Sequence, residues 1–145
     1  MERWSRCAGL VSGTAVGAAA YLWCGAGEGE ERRVATLALV FAAMCALRSN
    51  LPRIDNTRTC LVDTPLSTPL VGRAAATVGE LCLVVLLVSC LVGASRYTRG
   101  PQRRAVRRAG VAAVLMIAVA EVLSWVGCLT DDERWNAVEE TIWAL

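Results

Sequence analysis

Residues 74–95, AAATVGELCLVVLLVSCLVGAS, decide how this chain is read. These 22 residues, wound as a helix, cover about 33 Å at 1.5 Å per residue, and the hydrocarbon core of a bilayer is about 30 Å thick. A single charge, Glu80, interrupts the run. A second stretch of the same length, 109–130 (AGVAAVLMIAVAEVLSWVGCLT), also carries one charge, Glu121. Arginines or acids bound both stretches, so each reads as a transmembrane helix.

Two further candidates lie nearer the N-terminus. Cys7–Ala26 holds no charge, is rich in Gly, Ala, Ser and Thr, and carries Tyr21 and Trp23 near its end, where interfacial aromatics sit. Arg3 and Arg6 ahead of it would also suit a signal peptide. The run is longer than an ordinary secretory core, however, and Glu28, Glu30 and Glu31 follow it, which favours a retained helix. Val34–Leu47 is 14 residues, about 21 Å of helix. Arg33 and Arg48 at its ends would have to snorkel to opposite interfaces for it to cross. A re-entrant or interfacial helix is the alternative.

The remainder, DDERWNAVEETIWAL (131–145), places Trp135, Val138 and Ile142 at i, i+3 and i+7. That spacing predicts a short interfacial amphipathic helix over about 132–145, anchored by Trp135 and Trp143. The apolar ending suggests that Leu145 stands where a fifth span would begin. The expected fold class is therefore all-α. It is an integral membrane helical bundle of about four transmembrane helices (7–26, 34–47, 74–95, 109–130) plus that amphipathic helix, in one membrane domain over 1–145.

Composition agrees and excludes several function classes. Of the 145 residues, 55% are hydrophobic and 19% charged, the mean hydropathy is +0.46, and the charges cluster between apolar runs. Histidine is absent, removing the commonest general base and metal ligand. All 15 basic residues are arginine, which excludes Schiff-base lysines and a lysine-containing phosphate loop. The seven cysteines contain no C-x-x-C pair, so neither a redox motif nor a zinc site is indicated. No metal and no cofactor is expected. A net charge of +2 gives no reason to expect nucleic acid. A membrane enzyme ranks last, for want of a recognisable nucleophile–base pair.

With four spans, the N-terminus, the 49–73 loop and the tail share one side, with seven arginines. The 27–33 and 96–108 loops share the other, with eight. Six of those eight (Arg96, Arg99, Arg103, Arg104, Arg107 and Arg108) crowd into the 96–108 loop. Dense short loops dominate the positive-inside rule, so that loop is assigned to the cytosol or its organellar equivalent. The same arginines can bind anionic headgroups.

Charges inside spans are functional candidates by default. Glu80 and Glu121 would lie about 9 and 13 Å deep from the same side. Arg73, Thr77 and Glu80 share one helix stripe, as do Glu121, Ser124, Trp125 and Cys128. Two such carboxylates suit proton or cation handling; alternatively they are structural, protonated or paired with Arg73 or Arg48. In the 49–73 loop, D-T-P-L-S-T-P-L (63–70) predicts proline turns into the third span, with Ser67 or Thr68 as N-cap and Pro69 in the first turn. Asp63 with Arg73 is the alternative polar site there. Cys60 and Cys128 lie toward that side and form a disulfide candidate if it is oxidising.

A faint internal echo at an offset of 101 to 102 aligns Arg6 with Arg107, Gly9 with Gly110 and Trp23 with Trp125. It would make an inverted three-helix repeat. The leading expectation is a non-catalytic accessory or structural subunit, with membrane lipid and other membrane subunits or itself as partners. The alternative is a proton- or cation-coupled transporter or channel that uses Glu80 and Glu121.

Overall fold

The computed structural model describes residues 2–51, 53–54, 59–60, 64–97 and 100–144, with backbone alone for residues 2–6, 53–54, 59–60, 133 and 136. It is 89% helical. Four of its helices are long and apolar enough to cross a membrane: Cys7–Gly25, Glu30–Asn50, Pro69–Tyr97 and Pro101–Thr130. The chain divides into two compact units, Met1–Cys82 and Leu83–Leu145.

In the first unit, α1 (Glu2–Gly25) and α2 (Glu30–Asn50) form a helical hairpin. The second helix is longer than its apolar run predicts: 21 residues, about 32 Å, in place of the 14 of Val34–Leu47. Glu30 and Glu31 occupy its first turn and Arg48 its last. Each suits the sign of the helix dipole there, so these charges extend the helix instead of ending it. Gly29, at φ 84°, makes the turn between the helices. The Glu31 carboxylate reaches back to accept the Gly27 N–H at 3.2 Å.

Side chains fasten the hairpin at both ends. At the turn, Trp23 Nε1 donates to Thr36 Oγ1 at 3.1 Å. Arg32 donates to the Trp23 carbonyl at 3.0 Å while its guanidinium lies 4.6 Å from the Trp23 ring centroid. At the far end, Asn50 Nδ2 donates to Ser12 Oγ at 2.9 Å.

The segment after α2 pairs two minimal antiparallel strands, β1 (Arg53–Ile54) and β2 (Thr59–Cys60). They are a small departure from the all-α expectation. Ile54 and Thr59 are β-branched and suit the pairing. The third helix, α3 (Pro69–Ala94), opens as the sequence predicts, with Thr68 as the cap. The Thr68 hydroxyl accepts the Val71 N–H at 3.3 Å and Pro69 fills the first turn. Within this unit α3 approaches α2 closely at Gly79, where an added Cβ would stand 3.2 Å from Met44 Cβ.

The second unit contains the rest of α3, a 3-10 turn (Ser95–Tyr97), α4 (Pro101–Thr130) and α5 (Glu133–Trp143). Here the expected 96–108 loop is corrected. Gly100, at φ 71°, reverses the chain and Pro101 starts the helix, so Arg103, Arg104, Arg107 and Arg108 are helical. Arginine, glutamine and alanine are strong helix formers, and charge alone does not make a loop of them.

The buried positions of α4 include Gly110, Ile117, Glu121 and Ser124, a stripe at helical spacing. Gly110 meets Val88 of α3: an added Cβ would lie 2.9 Å from its Cγ1. Asp131 ends α4 in the left-handed conformation (φ 60°) and donates its N–H to the Gly127 carbonyl at 3.0 Å. The Asp132 carboxylate then caps α5 by accepting the Arg134 N–H at 3.0 Å. Two aspartates thus turn the chain back, and α5 packs on α4.

The helix expected over about 132–145 is present as α5, with Trp135, Val138 and Trp143 exposed and Glu139 buried.

Gly110→Ala tests the α3–α4 approach. Val88 is β-branched and stiff in its helix, so the added methyl overpacks the contact. We expect a loss of about 1 kcal/mol in detergent-based unfolding followed by circular dichroism. Adding Val88→Ala recovers most of it. Without the close approach, the helix propensity of alanine would raise stability by about 1 kcal/mol.

Candidate functional site

Glu80 lies eleven residues into α3, about 16 Å along the axis from Pro69. Arg73, two turns earlier on the same helix, directs Nη2 to Glu80 Oε2 at 3.3 Å. Arg48, in the last turn of α2, brings Nη1 to within 3.6 Å of Oε1. Both carboxylate oxygens therefore face a guanidinium, one from each of two helices. The side chains are unequally screened: Arg73 is 15% exposed, Glu80 22% and Arg48 44%. The i, i+7 spacing of Arg73 and Glu80 was readable in the sequence, whereas Arg48 is brought in by the packing of α2. Chemically the cluster is a clasp. Two cations hold one anion at fixed register between helices, which suits structural pairing better than proton exchange.

The second charged cluster is built by α4 and α5. Glu121 is 4% exposed and Ser124, one turn on, 3%. Glu139 reaches the same place from α5, with carboxylate oxygens of the two glutamates within 4.8 Å of each other. Glu139 was not among the residues the sequence singled out, because the Trp135–Val138–Ile142 spacing describes anchoring at a membrane interface and not packing against another helix. The better signal was the Asp131–Asp132 link. A two-residue connection folds the second helix back along the first. Position 139, seven residues beyond Asp132, then falls near the level of Glu121, ten residues before Asp131. Two buried carboxylates this close are compatible only with a proton, a cation or donor groups between their oxygens.

The other candidate residues scatter. Asp63 and Arg99 lie outside the described residues, as does the side chain of Cys60, and Cys128 is half-buried near the end of α4. The expected pairings of Asp63 with Arg73 and of Cys60 with Cys128 therefore fall outside what is described. Arg96 stands in the 3-10 turn, and Arg103, Arg104, Arg107 and Arg108 are exposed on the first turns of α4.

A feature that the spacing of charges could not reveal lies on α1. Gly13 and Gly17, four residues apart, have no atom within 4 Å of where a Cβ would be. On another side of α1 the hairpin leaves an apolar cleft of about 400 Å³, lined from α1 by Cys7, Val11 and Ala15 and from α2 by Phe41, Ala42 and Cys45.

No protein-family model matches the chain, and no curated protein sequence and no solved structure is significantly similar to it.

The asymmetry of the Glu80 clasp gives a graded expectation. Arg73→Leu removes the more buried partner and should cost about 3 kcal/mol, as breaking a buried pair does. Arg48→Leu removes a half-exposed one and should cost about 1 kcal/mol or less. Unfolding of each variant in detergent measures both; equal costs would contradict the geometry.

Proposed function

We propose that this chain is an integral membrane protein whose four long apolar helices cross the bilayer, and that it serves as a non-catalytic subunit contacting other membrane helices. The observation that carries this reading is the open flank of the first hairpin. Only 11% of the residues in the α1 span and 6% in the α2 span are buried within the chain. Those helices nevertheless have glycines spaced for close helix approach, at Gly13 and Gly17, with nothing against them. In lipid, such small-residue faces let helix backbones approach closely and gain dispersion contacts. The Glu80 clasp supports the same reading, since its charges are matched by side chains of the chain itself. The first turns of α4, rich in arginine, are assigned to the cytosolic or equivalent side.

A second reading rests on one specific observation, the Glu121–Glu139 proximity. A buried carboxylate pair is the sort of group that proton- or cation-coupled carriers use. Under that reading Glu121 keeps the coupling role first assigned to it, and Glu139 joins it.

The discriminating experiment is purification in mild detergent at native expression, with Gly13→Leu and Gly17→Leu alongside. For the subunit reading we expect a particle with unlike chains at fixed stoichiometry, which falls apart in the leucine variants while the isolated chain stays folded. A homogeneous particle that moves protons or cations in liposomes, and stops when Glu121 is changed to Gln, would overturn it in favour of the carrier.

A further inference from the structure

The first turns of α4 hold a second feature, independent of the helix contacts proposed above. Arg104, Arg107 and Arg108 line one end of a shallow groove of about 480 Å³ whose other end is Val111, Ala112 and Leu115. At 100° per residue, Arg104, Arg108, Val111 and Leu115 fall within about 60° of one another and well away from the buried stripe of Gly110, Ile117, Glu121 and Ser124. All six groove residues are exposed. From residue 96 to residue 120 the chain contains no acidic residue. Among the described residues, none of the three arginines pairs with a carboxylate.

The polarity of the groove runs along the helix. The apolar part of α4, residues 109–130, is itself about 33 Å long and fills the hydrocarbon thickness. Residues 101–108 then extend about 12 Å past it, into the headgroup layer. On the membrane-crossing reading proposed above, on which this inference rests, the three guanidiniums sit at the depth of lipid phosphates and Val111 and Leu115 at that of the upper acyl chains. Electrostatics adds to this. The positive end of the α4 dipole lies beside the arginines, and no acidic residue in the first turn compensates it. Guanidinium forks match phosphate oxygens bidentately, and a membrane surface supplies phosphates with apolar tails attached.

We propose that this face of α4 is a binding site for one acidic glycerophospholipid of the adjoining leaflet, its phosphate held by Arg104, Arg107 and Arg108 and its acyl chain lying over Val111 and Leu115. Arg103 provides an internal control. It is one residue from the site, exposed and of the same charge, but it does not line the groove. General surface attraction would use all four arginines alike, whereas a site uses three.

Native mass spectrometry of the full chain, exchanged into detergent with phosphatidylglycerol or phosphatidylcholine, tests this. The wild type should retain phosphatidylglycerol in preference to phosphatidylcholine. The exposed triple variant Arg104→Gln, Arg107→Gln, Arg108→Gln should lose retention by roughly a hundredfold, at about fivefold for each arginine near the surface. Arg103→Gln should keep it, and circular dichroism should show all variants equally helical. Val111→Asp should weaken retention with every arginine in place. A loss of about fivefold in Arg103→Gln, the same as for each arginine of the groove, would overturn the site in favour of diffuse attraction. Complete displacement of the lipid by millimolar inorganic phosphate would reassign the arginines to a soluble anion and overturn the lipid assignment.

Discussion

A charged side chain in hydrocarbon costs a few kcal/mol even on the most lenient insertion scales, and this chain places two glutamates inside its apolar runs. Its two units answer that cost in different ways. The first supplies opposite charge: Arg73 and Arg48 meet the two oxygens of Glu80 at 3.3 and 3.6 Å. One cation comes from the same helix and the other from a neighbouring helix, so satisfying Glu80 also sets the register of α3 against α2. Once the register is set, Gly79 falls opposite Met44, at a distance that leaves little room for a larger residue. The second unit surrounds Glu121 with Ser124, half-buried Trp125 and a second carboxylate from α5.

The same cost explains where polar contacts occur in the first hairpin. Trp23, Arg32 and Thr36 meet at the turn, and Ser12 meets Asn50 toward the other end. Around the Ser12–Asn50 tie the helices leave an apolar cleft between them. The hairpin is poorly covered by its own chain. In lipid such a surface has no hydrophobic drive to be hidden, and under the subunit reading proposed above the glycine face of α1 is where a second helix would gain dispersion contacts.

Much of the fold was legible in the sequence because it depended on run length. Two stretches of 22 residues with a single charge each leave few alternatives to crossing helices. The Thr68 cap was legible for a local reason, a hydroxyl residue directly before proline. Helix ends were less so. Val34–Leu47 looked too short because its flanking charges resembled loops, yet Glu30, Glu31 and Arg48 sit where the helix dipole favours them. The arginines of 103–108 misled in the same way. Of the candidate site, Arg73 with Glu80 followed from spacing along one helix. Arg48 and Glu139 did not, because each arrives from another helix and no periodicity in one segment encodes that. For α5 the apolar pattern spoke of an interface, and the two-aspartate turn carried the information that folds it back on α4.

The exclusive use of arginine fits three kinds of contact that an ammonium would serve poorly. Arg32 stacks its plane over Trp23 while donating to the carbonyl that ends α1. Arg73 and Arg48 share one carboxylate, each with donors to spare for other partners. The α4 arginines line a groove where, in the lipid site proposed above, a flat fork would engage two phosphate oxygens at once. Guanidinium is less strongly hydrated than ammonium, so it enters half-buried sites at lower cost and keeps its charge there. Lysine at Arg73 would preserve the charge but would give up the planar donor array that lets it bond Glu80 from two turns away.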